Sequence, residues 1–287
     1  MIGPISCVTI AAPDLGAMEE AYELLGYRPT GGGRISGELA KFWGAEAVEG
    51  AQFLLMAPAT TTGFHFRFVE QPETEGYAAY RCWGWNAAEL MVQDTDALEK
   101  QLMGTPFHIL GPPADLSITD AIRAMQVQGP AKEYLYLTLF KRRTEFDVPE
   151  AVDFVDRTFI VILGGPSVEM LGDAWGERFG LTYGEPRPVR ITVMGQVYGL
   201  PHDHRFMLST MSLSGSNLIE LDSMPENAEP RPQRDGWLPP SISMVSFISD
   251  SLGEHRLKDQ TGAPYYGREA GIWRGPVGEW VELIAPA

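Results

Sequence analysis

The chain has 287 residues, room for about two domains of ordinary size, and its 44% apolar and 10% aromatic residues are ample material for packed cores. Its 22 Lys and Arg against 38 Asp and Glu leave a net charge of −16, which argues against nucleic acid or an anionic membrane as partner and requires any bound anion to be met by local groups. The apolar runs are shorter than the ~18–20 residues of a membrane span, the opening MIGPISC lacks the regions of a signal peptide, and Cys7 and Cys82 have neither the number of a disulfide framework nor CxxC spacing, so a cytoplasmic protein with two free buried thiols is expected.

The first stretch, ISCVTIAAPDLGAMEEAYELLG, reads as strand, cap, helix and stop. Val8 and Ile10 form an apolar strand face suited to a covering helix, while Cys7 and Thr9 form a small polar face where a ligand could sit. Asp14 is a helix N-cap, Leu15, Met18, Tyr22 and Leu25 recur at helical spacing, and Gly26 supplies the left-handed stop. Residues 28–58 read as a glycine-broken strand pair, RISGELAKFWG and AQFLLMAP, whose GGG lacks the Lys and helix cap of a phosphate loop. GFHFRFVE is a strand with Phe64, Phe66 and Phe68 on one face and His65 and Arg67 on the other.

After a connection, ETEGYAAYRCWGWN, the opening pattern returns in AELMVQDTDALEKQLMG, with Asp94 as cap and Gly104 as stop, followed by strands FHIL, IRAMQVQGP and KEYLYLTLF. In the last of these Tyr134, Tyr136 and Thr138 lie opposite Leu135, Leu137 and Leu139. The charged tract KRRTEFDVPEAVD, with Pro149 and no apolar period, is the candidate linker between domains at 1–145 and 152–287. A third pass runs from strand RTFIVIL through helix SVEMLGDAWGERFG to a hairpin of VRITVMGQVYGL and RFMLSTMSL around PHDH, closing on NLIELDSM. A Pro-rich tract leads to the fourth, ISMVSFISDSLGEHRL, read as strand, Asp250 and short helix, which ends on GEWVELIAP.

Cys7, Ala87, Arg157 and Ser243 hold the same place in the four passes, 80, 70 and 86 residues apart, a repeat of one supersecondary unit. With the ISCVTIAAPDL and ISMVSFISD openings and the NLIEL and WVELI closings, the whole chain resembles the vicinal oxygen chelate superfamily, which includes glyoxalase I, bleomycin-resistance proteins, fosfomycin-resistance enzymes and extradiol dioxygenases. The resemblance implies an α+β fold of four βαβββ modules paired into two cup-shaped half-barrel domains. It also implies metal ligands at the opening-strand anchor, a His or Gln, and inside the closing strand, a Glu. The corresponding pairs are Cys7 with Arg67, Ala87 with Tyr136, Arg157 with Glu220, and Ser243 with Glu282. No anchor is a histidine, and a guanidinium at a ligand position repels a divalent ion, so no metal and no other cofactor is expected. A fallback is Fe2+ or another divalent metal at His202 and His204 of PHDHR, with Glu220 or Glu282; against it stands a solvated hairpin tip.

The candidate catalytic residues are therefore Glu282, Arg157, Glu220 and His65: a buried carboxyl as general base, Arg157 as stabiliser of a developing anion, Arg157–Glu220 as an electrostatic substitute for the cation, and His65 as a proton carrier. The candidate substrate-binding residues are Arg67, Tyr134, Tyr136, Ser243, Cys7 and Trp280. Arg67, His65, Tyr134 and Tyr136 are expected in the first cup, and Arg157, Glu220, Ser243 and Glu282 in the second. The dense aromatics suit a flat ligand. The leading expectation is a metal-independent lyase or isomerase acting on a small aromatic or carboxylated compound, as monomer or homodimer. The alternatives are a drug-sequestering binder of bleomycin-resistance type and a metal-dependent ring-cleaving dioxygenase. No nucleophile elbow, phosphate loop or dinucleotide fingerprint is present.

Overall fold

The computed structural model describes residues 2–117, 119–142, 144, 148, 150–258 and 260–287. Of the expected linker at 141–153, residues 143, 145–147 and 149 lie outside them. The first unit comprises β1 (Ile2–Ala12), α1 (Leu15–Leu24), β2 (Arg28–Arg34), α2 (Gly37–Trp43), β3 (Gln52–Ala57) and β4 (His65–Glu70). The second comprises β5 (Gly84–Val92), α3 (Thr95–Leu102), β6 (His108–Leu116), β7 (Thr119–Gln128) and β8 (Tyr134–Phe140). The third comprises β9 (Val155–Gly165), α4 (Val168–Phe179), β10 (Arg187–Val189), α5 (Thr192–Tyr198), β11 (Phe206–Leu213) and β12 (Asn217–Ser223). The fourth comprises β13 (Ser241–Ser249), β14 (Arg256–Leu257), β15 (Ala270–Arg274) and β16 (Trp280–Ile284).

The unit openings follow the sequence. Asp14 and Asp94 accept from the backbone N–H of Ala17 and Ala97 at 3.0 and 2.9 Å, and Ser167 accepts from Met170 at 3.1 Å, each offsetting one of the unpaired donors of a first helical turn. Three expectations give way. RISGELAKFWG holds the helix α2, because Ser36 caps it and Gly44 ends it in the left-handed region. VRITVMGQVYGL holds α5, terminated by Gly199, where a hairpin strand was expected. No helix follows Asp250 among the described residues, and the chain passes directly to β14.

Two eight-stranded curled sheets result, in the orders β14-β15-β16-β13-β1-β4-β3-β2 and β10-β11-β12-β9-β5-β8-β7-β6. The first unit thus joins the fourth through antiparallel β1 and β13, and the second joins the third through β5 and β9. This differs from the pairing of consecutive units expected for halves 1–145 and 152–287. All four opening strands carry the same alternation, so local pattern alone cannot say which pairs with which; the antiparallel registers that set Val8 against Val245 and Ala88 against Val161 decide it.

The largest apolar cluster joins α1, α3 and α4 to one face of each sheet, with Tyr22 against Phe66 and Phe68 and Trp85 against Trp175. The opposite faces are the cups. The cup of the first sheet is packed by α2 and Tyr265, and that of the second carries α5 and Tyr77, Tyr80 and Phe159.

The turns before β8 and β16, GPAKE and GPVGE, are built alike. Glu133 bends back to accept from Ala131 N–H at 2.8 Å and Tyr22 OH at 3.1 Å, and Glu279 from Val277 N–H at 3.1 Å and Trp175 Nε1 at 2.9 Å. Each carboxyl lies where a Cβ on the leading glycine would stand, 1.9 Å from one at Gly129 and 1.8 Å from one at Gly275. Gly275→Ala is therefore expected to cost about 1–3 kcal/mol, read as a lower urea midpoint. Gly195→Ala on α5, whose Cβ would meet nothing within 4 Å, is the matched control, neutral or stabilising by about 0.5–1 kcal/mol.

Candidate functional site

Strand register places four residues in a row across the centre of each cup. In the first sheet the row is His65, Cys7, Ser246 and Glu282; in the second it is Tyr134, Ala87, Ile162 and Glu220. Glu282 and Glu220 are thus equivalent, as are Arg67, opposite Thr9, and Tyr136, opposite Glu89. Ser246 and Ile162 hold the places expected for Ser243 and Arg157, because local spacing carries no information on the register between units.

The first cup is filled. Glu282 is fully buried and accepts four hydrogen bonds: Arg67 Nη2 at 3.0 Å, Trp43 Nε1 at 3.0 Å, Ser246 Oγ at 2.6 Å and Tyr265 OH at 2.6 Å. Arg67 also donates through Nε to Thr9 Oγ1 and through Nη1 to Tyr265 OH, both at 3.0 Å, and its guanidinium lies 4.6 Å from the Trp43 ring centroid. Donors and acceptors are matched, leaving Glu282 no lone pair aimed at open space. His65 contacts Tyr266 OH at 3.2 Å, and burial followed by the Arg67 charge lowers its pKa to about 4, so it is neutral at pH 7. Burial pushes the Cys7 thiol up to about 11, which removes thiolate character. Trp280 is buried beneath Arg274, 3.4 Å from its ring centroid. Ser243 turns to the backbone, donating to Pro239 and Ser241 carbonyls at 2.5 and 3.0 Å, and is not beside Glu282.

The second cup is open, with a cavity of about 370 Å³. Glu89 and Glu220 line it from β5 and β12, Tyr136 from β8, and apolar side chains including Phe140, Phe159 and Ile160 form much of the wall. Asp222 follows Glu220 by two residues and so lies on the same strand face. Glu89 accepts from Thr138 Oγ1 at 2.6 Å, yet burial pushes its carboxyl up to about 7. Burial pushes Asp222 up to about 8, and burial, then the Asp222 and Glu89 charges, holds Glu220 well above the usual carboxylate range. Neither Asp222 oxygen has a hydrogen-bond partner among the described residues. Tyr136 OH meets Tyr80 OH at 2.7 Å, with Tyr80 held at φ 58°, and burial keeps both phenols protonated. Tyr134 packs beside Tyr80, ring centroids 5.7 Å apart, and outside the cavity lining.

The structure therefore separates residues the sequence grouped. Tyr134 and Tyr136 lie in the other sheet from His65 and Arg67. Arg157 precedes Ile162, the register partner of Glu220, by five residues, roughly 16 Å along a strand, so the expected Arg157–Glu220 pair does not form. Glu282 pairs with Arg67 instead. Of the expected residues, Glu220, Tyr136 and His202 share the cavity with Glu89, a lone carboxyl in the apolar strand NAAELMV that local spacing does not single out. Asp222, two positions beyond Glu220, was legible by strand period and was also missed.

Metal ligation fits neither cup. The first row is committed to the Arg67–Glu282 ion pair, and the second offers Ala87 and Ile162 where ligands would converge. His202 and His204 lie on an exposed loop between α5 and β11, His202 at the cavity and His204 with its ring 4.8 Å from that of Phe206. Among the described residues no group of three or more His, Cys, Asp or Glu is placed to hold an ion, and no helix is long and apolar enough to cross a membrane.

No family model matches the sequence, and no curated protein matches it. Solved structures do. Glyoxalase I from Zea mays superposes with a TM-score of 0.63 at 12% identity, covering 99% of this chain and 93% of that one. A putative dioxygenase from Bacillus subtilis subsp. subtilis str. 168 superposes at 0.60 and 12% identity, covering 98% and 84%. At such identities the likeness is one of fold.

Two predictions follow from the cups. Glu282→Ala leaves Arg67 buried without its counter-ion and should cost about 3–5 kcal/mol, whereas Arg67→Met with Glu282→Leu should cost much less; urea denaturation separates the two. Glu89 and Asp222, with Glu133 and Glu279 both pushed up by burial to about 7, bind protons in the fold that the unfolded chain has released. Stability is thus fully present below the unfolded carboxyl values and falls as pH rises to about 8, by up to ~1.4 kcal/mol per pH unit for each group. The urea midpoint should drop between pH 6.5 and 8, a window above the opposing contribution of His65, and Glu89→Gln should flatten the drop.

Proposed function

We propose that this chain, which has the fold of the vicinal oxygen chelate superfamily, is a metal-independent acid–base enzyme, a lyase or isomerase, acting on a small and largely apolar organic compound in the cup of the second sheet. The observation that carries the reading is two carboxyl groups of different environment, Glu89 and Glu220, lining one cavity of about 370 Å³. A cavity of this size and lining takes a small molecule. Glu89, near pH 7 in its titration, is available as base at little cost, while Glu220, held higher by burial and its acidic neighbours, keeps its proton and serves as acid. Pairs of titratable groups pushed apart in pKa are how one site runs both halves of a proton transfer.

In this mechanism the substrate lies between β5 and β12 over Ile160. Glu89 takes a proton from carbon beside an electron-withdrawing group, Glu220 donates to the oxygen where charge develops, and the Tyr136–Tyr80 hydroxyl pair adds a fixed donor. Thr138 orients the Glu89 carboxyl through its 2.6 Å hydrogen bond. Water is limited by the apolar wall, which strengthens each of these interactions. Isomerisation returns the proton at a second carbon, and elimination expels a leaving group; both use the same two carboxyls. The first cup, with its matched ion pair, is assigned a structural role.

A non-catalytic sequestering protein of the same fold would need the cavity but no proton transfer in it. The test is solvent exchange: protein purified without chelator or histidine tag is assayed for metal, then incubated in D2O with a panel of aryl and alkyl ketones, and deuterium uptake beside the carbonyl is followed by NMR. Catalysed uptake that survives strong chelation and falls at least ~100-fold in Glu89→Gln, but not in Arg67→Met with Glu282→Leu, is expected. Binding without uptake would favour sequestration. Stoichiometric iron, manganese or zinc whose removal abolishes uptake would overturn the metal-independent reading.

A further inference from the structure

The two cups are related by the internal repeat, and comparing them shows what the second one lacks. In the first, the carboxylate of the closing strand, Glu282, is met 3.0 Å away by Arg67, whose guanidinium stacks over Trp43. In the second, the equivalent carboxyl is Glu220 and the residue equivalent to Arg67 is Tyr136. The acid is retained, the cation is gone, and the space the first cup fills with side chains is a cavity of about 370 Å³. A further carboxyl, Glu89, lines the same cavity, and Asp222, on the same face of β12 as Glu220, is fully buried next to this lining.

Resting on the reading that this cup is the binding site, we propose that its ligand is an organic cation, whose protonated amine or amidine enters first and takes the place that the Arg67 guanidinium holds in the first cup. Asp222 has both carboxyl oxygens buried without a partner, and the groups acting on Glu220 are Asp222 and Glu89, so the floor has acceptors to spare; unpaired buried groups are costly. An ammonium brings three donors and no acceptor. Tyr80 and Tyr136 face the same carboxyls as neutral hydroxyls. Among the described residues lining the cavity the basic groups are Arg190 and His202, on half-exposed and exposed positions between β10 and β11, and Asp115 on β6 is engaged by Arg123 and Lys141. The polarity therefore runs from an acidic floor to a basic rim, with Phe140, Phe159 and Ile160 against the apolar body of the ligand.

The experiment uses three probes of one shape, 1-naphthylmethylamine, 1-naphthalenemethanol and 1-naphthoate, titrated calorimetrically into the full chain at pH 6, 7 and 8 in buffers of different ionisation enthalpy. The expected result is amine binding at least tenfold tighter than the alcohol, weakest binding of the carboxylate, tightening of the amine with pH and proton release on binding. Glu220→Gln with Asp222→Asn should erase the preference, and Tyr136→Arg, which restores the built-in cation, should abolish amine binding, each with the native circular dichroism spectrum retained. If a variant fails to fold, the three-probe ranking and the proton count on the unaltered chain still decide. Alcohol or carboxylate binding as tightly as the amine, and lost in Ile160→Trp, would overturn the cation while keeping the cup. Failure of all three probes to bind at millimolar concentration would overturn the cup as well.

Discussion

A carboxyl group buried in an apolar cup must be neutralised, and the rest of this molecule follows from the two ways in which it is done. Four strands from two distant units converge on each cup and deliver one glutamate from the closing strand to its centre. In the first cup the charge is kept and matched by Arg67, Tyr265, Trp43 and Ser246, which fill the space. In the second no cation is provided, and the glutamate stays protonated beside Glu89 and Asp222. One cup is thereby closed by its own side chains, and the other is an open cavity lined by carboxyls. The cost of separating a buried charge from its partner makes the first resistant to change, and the cost of ionising a buried acid gives the second its titration near neutral pH.

The same economy of parts recurs in the turns. GPAKE and GPVGE each fold a glutamate over a glycine and aim it at an aromatic donor on a covering helix, Tyr22 on α1 and Trp175 on α4. These contacts cross between sheets, since Tyr22 belongs to the first and Glu133 to the second, while Trp175 belongs to the second and Glu279 to the first. The covering helices are therefore tied to the opposite sheet by a carboxyl hydrogen bond as well as by apolar packing, which holds the two cups in one body.

Much of the fold was legible. The Asp14 and Asp94 caps, the Gly26, Gly104 and Gly180 stops, and the alternation in HFRFVE, YLYLTLF and NLIEL identify the elements because capping and strand period are local properties of the chain. The short α2 and α5 were missed because their apolar residues also alternate tolerably as strands; Ser36 and Gly44 were the available signals for α2. Around the cavity, the strand faces of Glu220 and Tyr136 follow from the period-2 alternation, while the partners of Arg157, Ser243 and Glu282 do not follow from local spacing.

What the sequence by itself determined, then, is the repeated unit, the face on which each strand residue lies and the near absence of histidine at the places where a metal would be held, since all of these depend on residue type and short spacing. Only the tertiary structure decided that the first unit pairs with the fourth and the second with the third. That choice rests on antiparallel register between strands more than 60 residues apart in sequence, chosen among four opening strands of nearly the same pattern. It brings Arg67 to Glu282 rather than Arg157 to Glu220, and so leaves the second cup acidic and open.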